Sequence, residues 1–345
     1  MTLHQEIFEQ PTVLGKLLSN QMSTVQAIAK QIASRDIRYV FLAARGTSDN
    51  AGRYANYLWG SLNRLPIALA TPSLFTFYQQ PPALTGALIV GVSQSGQSPD
   101  IVSVLAEGRR QGSPTLAITN DPNSPLAQEA DFVIDIQAGD EKAVAATKTY
   151  TAELLAIAML AVSLKDDAER RRALDKVPAW IQQTLTEDER LKQLAQRYRF
   201  MQQCVVLGRG YNYATAFEWS LKLKELAYVG AEPYSSADFQ HGPIAIVEHG
   251  FPVMAVAPGG AVFEDMLDLL RRLKQEQAAE LLVISDRAEA LAFAQSAIAL
   301  PNDVPEWLTP LVSIVPAQLF TYHLTIAKDF DTEAPRIIHK ITATE

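Results

Sequence analysis

Gly86-Ala-Leu-Ile-Val-Gly-Val-Ser-Gln-Ser-Gly-Gln-Ser-Pro-Asp100 is the stretch from which the fold follows. Its apolar run, Ala87 to Val92, is the pattern of a strand buried on both faces of a parallel sheet. Ser93, Gln94, Ser95 and Gly96 then present polar side chains and a glycine. Ser98 reads as a helix N-cap, Pro99 as the first helical residue and Asp100 as an acid in the first turn. Ile101, Val104 and Leu105 continue at helical spacing. A strand, a hydroxyl-rich loop and a helix N-terminus in succession make an anion site, with backbone N–H groups and serine hydroxyls as donors. The loop contains no lysine, which excludes a nucleotide P-loop and suits a single phosphate on a small molecule.

Around this stretch, strands alternate with helices. Residues 1 to 35 read as helix, Tyr39 to Ala44 as the first strand, and Arg45-Gly-Thr-Ser-Asp-Asn50 as a second polar loop. Ile67–Ala70, Thr115–Thr119 and Phe132–Ile136 supply further strands, and an apolar helix reaches Leu164. The alternation predicts an α/β fold, a parallel sheet flanked by helices. Charge runs at Lys165–Arg172 and Glu187–Arg190 mark a helical connector. The pattern then restarts. Cys204–Asn212 matches Val40–Ser48 at an offset of 164, and Phe251–Gly260 falls on Ala87–Gly96 at the same offset. Leu282–Ser285 answers Leu116–Thr119 two residues later. Two copies of one domain are expected. The predicted organisation is a helical segment at 1–34, a first domain at 35–165, a connector at 166–198 and a second domain at 199–345. The second copy has Ala257-Pro-Gly-Gly260 in place of Ser-Gln-Ser-Gly, so only the first is expected to bind phosphate.

The 345 residues carry a net charge of −8, which argues against nucleic acid as the main partner. The single cysteine, Cys204, reads as a buried inert thiol. Its solitude excludes a disulfide framework. No signal peptide or membrane-spanning run is recognised, Leu154–Leu164 being the longest helix-like apolar stretch, and a cytoplasmic protein is expected. His4, His249, His323 and His339 lack ligand spacing, so no metal site is expected. Gly208-Arg-Gly-Tyr-Asn-Tyr213 has tyrosine at the third glycine position of a dinucleotide fingerprint, so no nicotinamide cofactor is expected.

Gly46-Thr-Ser48, Ser93-Gln-Ser-Gly96 and the repeat together resemble the sugar isomerase (SIS) family, which implies two tandem flavodoxin-like domains. More closely, the chain is similar to the isomerase half of glucosamine-6-phosphate synthase. The similarity rests on Gly208-Arg-Gly, Glu218, Leu221–Tyr228, Ala231–Tyr234, Phe239-Gln-His-Gly-Pro243, Asp331–Arg336, Lys340 and Thr342 to Glu345, and covers roughly residues 35 to 345. The resemblance implies that Thr47, Ser48, Ser93, Gln94, Ser95 and Ser98 hold a sugar phosphate, and that Glu141 and Val144 lie in the loop closing around the sugar. It implies that Glu225 moves a proton between C1 and C2, with Lys222 close by. His241, entering from the neighbouring subunit of a homodimer, would open the ring, and Lys340 would form a Schiff base with the open-chain ketose. The chemistry suits these residue types. A carbonyl shift needs one base serving two carbons, and a carboxylate serves if burial raises its pKa. The apolar helical context of Glu225 offers that burial, and a lysine near other cations, such as Lys222 and Lys224, becomes nucleophilic. By residue pattern alone, the better readings are Glu225 as part of a solvated helix face, His241 as a loop histidine and Lys340 as a chain end.

The chain departs from the synthase in carrying Thr2 where its glutaminase domain has a cysteine nucleophile. It also has Arg45 for cysteine, Ala146 for serine and Ser98 for threonine. Val144-Ala-Ala-Thr-Lys148 resembles stand-alone members that deaminate or deglycate amino-sugar phosphates. The expectation is a metal-independent phosphosugar deaminase/isomerase converting glucosamine-6-phosphate to fructose-6-phosphate and ammonia. A fructosamine-6-phosphate deglycase, an aldose–ketose isomerase and a catalytically silent sugar-phosphate sensor are the alternatives.

Overall fold

The computed structural model describes residues 2–338 and Lys340; Met1, His339 and residues 341–345, including the motif at Thr342 to Glu345, lie outside the described residues. The chain divides into two compact units. One gathers Glu9–Lys142 and Ala146–Pro178 together with Lys340; the other gathers the segment through Phe8, Ala143–Ala145 and Ala179–Ile338. The division falls within the helical connector, whose helices run Ala168–Leu174, Val177–Leu185 and Asp188–Arg197.

The first unit is built on a parallel sheet of β1 (Tyr39–Ala43), β2 (Ile67–Leu69), β3 (Ala87–Ser93), β4 (Thr115–Thr119) and β5 (Phe132–Asp135), in the order β2-β1-β3-β4-β5. This is the flavodoxin-like order. In register, Val40 faces Leu88 and Val90 faces Leu116, and every residue of β3 is buried. Ile89 and Ala87 pack on Ile101, Val104 and Leu105 of the helix Pro99–Arg110, so the apolar spacing read from the sequence becomes one layer of core. Burying a side chain of this size contributes about 1.5–3 kcal/mol. Helix Lys148–Lys165 is buried from Lys148 through Val162, and Trp59 of helix Gly46–Asn63 donates its indole N–H to Ile157 O at 3.0 Å.

The second unit repeats the pattern. Its strands are β6 (Gln203–Gly208), β7 (Gly230–Ser235), β8 (Pro252–Val256), β9 (Glu280–Ser285) and β10 (Ser296–Ala299), ordered β10-β9-β8-β6-β7, all parallel. The correspondence with the first sheet is strand for strand, as the offset of 164 requires. Here Leu269, Leu270 and Leu273 of helix Phe263–Gln275 join Val205, Val253 and Leu281 in the core.

One reading needs correction. No run long enough to cross a membrane was expected, Leu154–Leu164 being the longest and too short, yet among the described residues the segment Glu306–Ala327 is long and apolar enough by composition. The helix at its heart, Thr309–Ala327, is buried from Thr309 through Thr325, and Phe320 packs edge-on against Trp219 and Tyr198. Its hydrophobicity on all sides is that of a core helix.

Cys204 is buried in β6, and burial pushes its thiol up to about 12. Because the thiolate is the nucleophile, the folded protein is expected to resist iodoacetamide at mildly alkaline pH and to react once unfolded. Mass spectrometry before and after denaturant checks this, and rapid labelling of the native chain would contradict it.

Candidate functional site

In the first unit, β1 and β3 are hydrogen-bonded neighbours whose following connections run to opposite sides, to β2 and to β4. Such a switch point opens a crevice outside the carboxyl ends of the strands, where ligands of open α/β sheets bind. Both polar loops emerge there. In the loop after β3, the Ser93 hydroxyl accepts the Gly96 N–H at 3.1 Å and the Ser95 hydroxyl accepts the Gln97 N–H at 3.3 Å. A hydroxyl used as an acceptor still has its own O–H to donate. Gln94 anchors the loop, its carbonyl taking the Asn120 N–H at 3.1 Å. Ser98 stands at the N-cap with Pro99 following, but its side chain does not cap the helix. Asp100 Oδ1 takes the Ile101 N–H instead, at 2.9 Å, leaving the Ser98 hydroxyl out of the cap.

Gly96 holds this loop in shape. Its φ is +62°, and a Cβ there would lie 2.1 Å from Ser124 Oγ, itself the cap of the next short helix. Gly96→Ala is therefore expected to weaken sugar-phosphate binding ~10-fold or more and to cost about 1–3 kcal/mol of stability. Calorimetric titration and thermal melting check this; wild-type affinity in the variant would show that the loop does not bind the anion.

The loop after β1 is arranged differently. Ser48 is buried and its hydroxyl donates to Glu153 Oε1 at 2.8 Å, so its one proton faces the interior, away from the donor role expected of it toward phosphate. Thr47 is half-buried in the first turn of the same helix, beside Gly46 at φ +54°. Arg45, a departure from the synthase, ties the two loops together: its Nε donates to the fully buried Asp100 carboxylate at 2.7 Å, while the side chain as a whole stays 47% exposed. A buried carboxylate without a partner is costly, so the pair accounts for Asp100 in a helix start that faces an anion loop. The second unit also pairs an arginine with a helix acid, Arg209 with Asp265, but there the carboxylate is 44% exposed.

Glu141 is the centre of a third group in the first unit. Its carboxylate is buried and accepts from the Thr147 N–H (2.9 Å), the Thr149 N–H (3.1 Å), the Thr149 hydroxyl (2.7 Å) and Lys340 Nζ (2.7 Å). The neighbour of Lys340 is thus a carboxylate, not the cation that the expectation of a nucleophilic lysine invoked. Lys148 is buried as well, bonded to Glu9 Oε2 and the Asp140 carbonyl, each at 2.7 Å. Val144 is half-buried and clusters with the second unit, where Glu6 accepts the neighbouring Ala143 N–H at 3.2 Å.

In the second unit, helix Tyr213–Leu226 carries Glu218, Lys222 and Glu225. Lys222 is buried, with Nζ 2.5 Å from Glu225 Oε2 and 3.4 Å from Glu218 Oε1. Here the sequence reading is corrected twice. Glu218 is the fully buried carboxylate, whereas the Glu225 side chain is 24% exposed. Lys224 is exposed and Lys222 buried, so the two ammonium groups do not share a site. His241 is exposed in the turn after the short helix Ser236–Gln240, just before Gly242 at φ +135°.

The corresponding loop of the second unit is filled by the protein's own side chains. Glu306 Oε2 accepts the Ala261 N–H at 3.0 Å, and Asp286 Oδ1 accepts the Gly259 N–H at 2.7 Å. A Cβ on Gly260 would fall 2.1 Å from Glu306 Cδ. The protein's own carboxylates satisfy the amides of this loop, the physical counterpart of its missing serines. Glu153 and Glu306 escaped the sequence reading and Asp100 was read only as a first-turn acid, because each is defined by a partner 45 or more residues away.

The SIS domain family model matches residues 35–163 and 201–328. The glutamine–fructose-6-phosphate aminotransferase (isomerizing) of Aquifex aeolicus is 33% identical over 99% of this chain and 57% of its own length. The chain thus spans about three-fifths of the curated relatives it matches. The C-terminal domain of glucosamine-fructose-6-phosphate aminotransferase from Francisella tularensis superposes with a TM-score of 0.89 at 29% identity, covering 97% of this chain and 98% of that one. A glucosamine-6-phosphate deaminase from Thermotoga maritima shares the fold, with a TM-score of 0.83 and full coverage of both chains at 20% identity.

Proposed function

This chain belongs to the SIS domain family, and we propose that it is a phosphosugar isomerase that deaminates its substrate: glucosamine-6-phosphate and water become fructose-6-phosphate and ammonia. The observation that carries the reading is the serine loop at the β1/β3 switch point, rich in hydrogen-bond donors in the first unit and filled by the protein's own carboxylates in the second. The phosphate anchors one end of the sugar, which fixes the reacting carbons relative to the protein. Ser93, Ser95 and Ser98, with the amides of the helix start, are the proposed donors, with Gln94 shaping the loop. Thr47 and Ser48 support from the second loop.

Once the ring is open, with His241 as the proposed acid–base group, Glu225 takes the proton from C2 of the amino-aldose and returns it to C1. This moves the double bond to carbon–nitrogen, and addition of water at C2 expels ammonia. Lys340 is the proposed amine for a Schiff base with the open-chain ketose, and it must leave Glu141 to act. The exposed setting of His241 fits a residue offered to a neighbouring subunit, so the proposed working form is a homodimer.

Arg45 favours a second reading. Its half-exposed side chain at the same switch point, bonded to Asp100 through Nε only, suits a carboxylate on the sugar's nitrogen substituent, as a fructosamine-6-phosphate deglycase would require. Ammonia and fructose-6-phosphate release from glucosamine-6-phosphate by the chelator-treated protein tests the first reading. Release from an amino-acid conjugate alone would transfer the assignment to the second. Binding without turnover of either would leave a sensor.

A further inference from the structure

We propose that His4, Asp188 and His323 form a binding site for a divalent transition-metal ion of the Zn2+ or Co2+ type. The three residues come from the N-terminal helix Thr2–Ala33, the first position of helix Asp188–Arg197 and the interior of helix Thr309–Ala327, all within the second unit. Their separations of 184 and 135 residues explain why spacing along the chain gave no ligand pattern.

His4 Nε2 lies 3.0 Å from Asp188 Oδ2, and His323 Nε2 lies 2.7 Å from Asp188 Oδ1. One ligating atom from each of the three side chains falls within 4.8 Å of the others. Around a tetrahedral ion with metal–nitrogen and metal–oxygen bonds of about 2.0–2.2 Å, ligand atoms stand roughly 3.3–3.5 Å apart. To admit the ion, the two histidine–aspartate contacts open by about 0.3–0.8 Å, while ligand atoms as far as 4.8 Å apart draw together. Two imidazoles and one carboxylate suit Zn2+, Co2+ or Ni2+ and do not suit the oxygen-seeking Mg2+ or Ca2+.

Without metal, each imidazole donates its Nε2–H to the carboxylate. To bind metal, each ring stays neutral and carries its proton on Nδ1 instead, freeing the Nε2 lone pair. His323 is buried, while His4 and Asp188 are half-exposed, so the side toward solvent is left for a water as fourth ligand. Phe8 and Tyr322, with ring centroids 4.6 and 5.0 Å from that of His4, form an apolar wall on that ring. Bound metal would join three helical segments of the second unit, the segment through Phe8 among them, at a single point, and metal that binds only the folded state stabilises it.

The test uses the full chain stripped with chelator, titrated with Co2+ and followed by visible absorption and by thermal melting with Zn2+. The expected result is one Co2+ per chain with the intense bands of a tetrahedral nitrogen/oxygen site, displacement by Zn2+, and a higher Tm with Zn2+. His4→Ala, at a half-exposed position that need not disturb folding, should weaken binding at least ~10-fold, and Asp188→Asn should do the same. His249→Ala, at an exposed histidine elsewhere in the unit, should leave binding unchanged. Absence of the bands in the wild-type chain, or equal binding by His4→Ala, would overturn the proposal and leave the cluster a hydrogen-bonded clasp. Because the readout is metal binding, neither result bears on ammonia release.

Discussion

Glu225→Gln is expected to reduce turnover ~10²–10⁴-fold, the usual contribution of a positioned general base, while sugar-phosphate affinity stays near wild type. The reason lies in how Lys222 is held. In the native helix this buried ammonium has Glu225 at 2.5 Å and Glu218 at 3.4 Å. An amide at position 225 keeps the shape and still offers a carbonyl oxygen to Lys222, and Glu218 retains the charge beside it. The fold therefore survives, and the only function removed is that of a base. Glu218→Gln makes the contrasting control. That carboxylate is fully buried beside a buried lysine, so its loss is expected to appear first as a lower Tm, since breaking a buried pair costs about 3–5 kcal/mol. Steady-state kinetics with calorimetric titration of the sugar phosphate checks the Glu225 variant. Retention of full activity would remove Glu225 from the mechanism.

Glu141→Ala is expected to be the most destabilising single change near the site, by about 3–5 kcal/mol, and to abolish activity even in molecules that remain folded. Four donors converge on this buried carboxylate: two backbone N–H groups, a threonine hydroxyl and Lys340. Alanine strands the three donors from Thr147 and Thr149 without water to replace their partner, and each unsatisfied group costs about 1–3 kcal/mol. It also releases the ion pair that holds Lys340 Nζ. Comparing the melting midpoint of this variant with that of Lys340→Ala separates the two effects. The lysine variant removes the same ion pair but leaves the loop amides satisfied, so its melting loss should be much smaller. Equal losses would show that the loop depends on the ion pair and not on the amide contacts.

The fold was legible where buried strands follow one another. β1, β3, β4, β6, β8 and β9 are apolar runs, and the recurrence of Val40–Ser48 at Cys204–Asn212 doubles the domain. β7 and β10 were not assigned from the sequence; both are edges, but so are β2 and β5, which were assigned from the apolar Ile67-Ala-Leu69 and Phe132-Val-Ile134. Gly230-Ala-Glu-Pro-Tyr-Ser235 pairs on one side only, so it tolerates a proline and a glutamate and shows no apolar run. In the site, the residue types were readable but their protonic partners were not. Ser48 reads as a phosphate donor until Glu153, 105 residues on, is seen to take its proton. Glu225 reads as buried because its neighbours are apolar. Yet the helix turns Glu218, Trp219, Lys222, Leu223 and Leu226 inward and leaves position 225 at the margin. Helical phase tells which stripe is apolar, but not which of two acids in it is the deeper.

Glu306 gives the molecule a counting rule. Two homologous flavodoxin-like halves would ordinarily suggest two equivalents of ligand per polypeptide and communication between them. With the second cradle closed by a tethered anion, the isotherm for a phosphorylated sugar should be a single hyperbola that saturates at one equivalent per chain. Any sigmoidal response then has to originate between subunits, not within one.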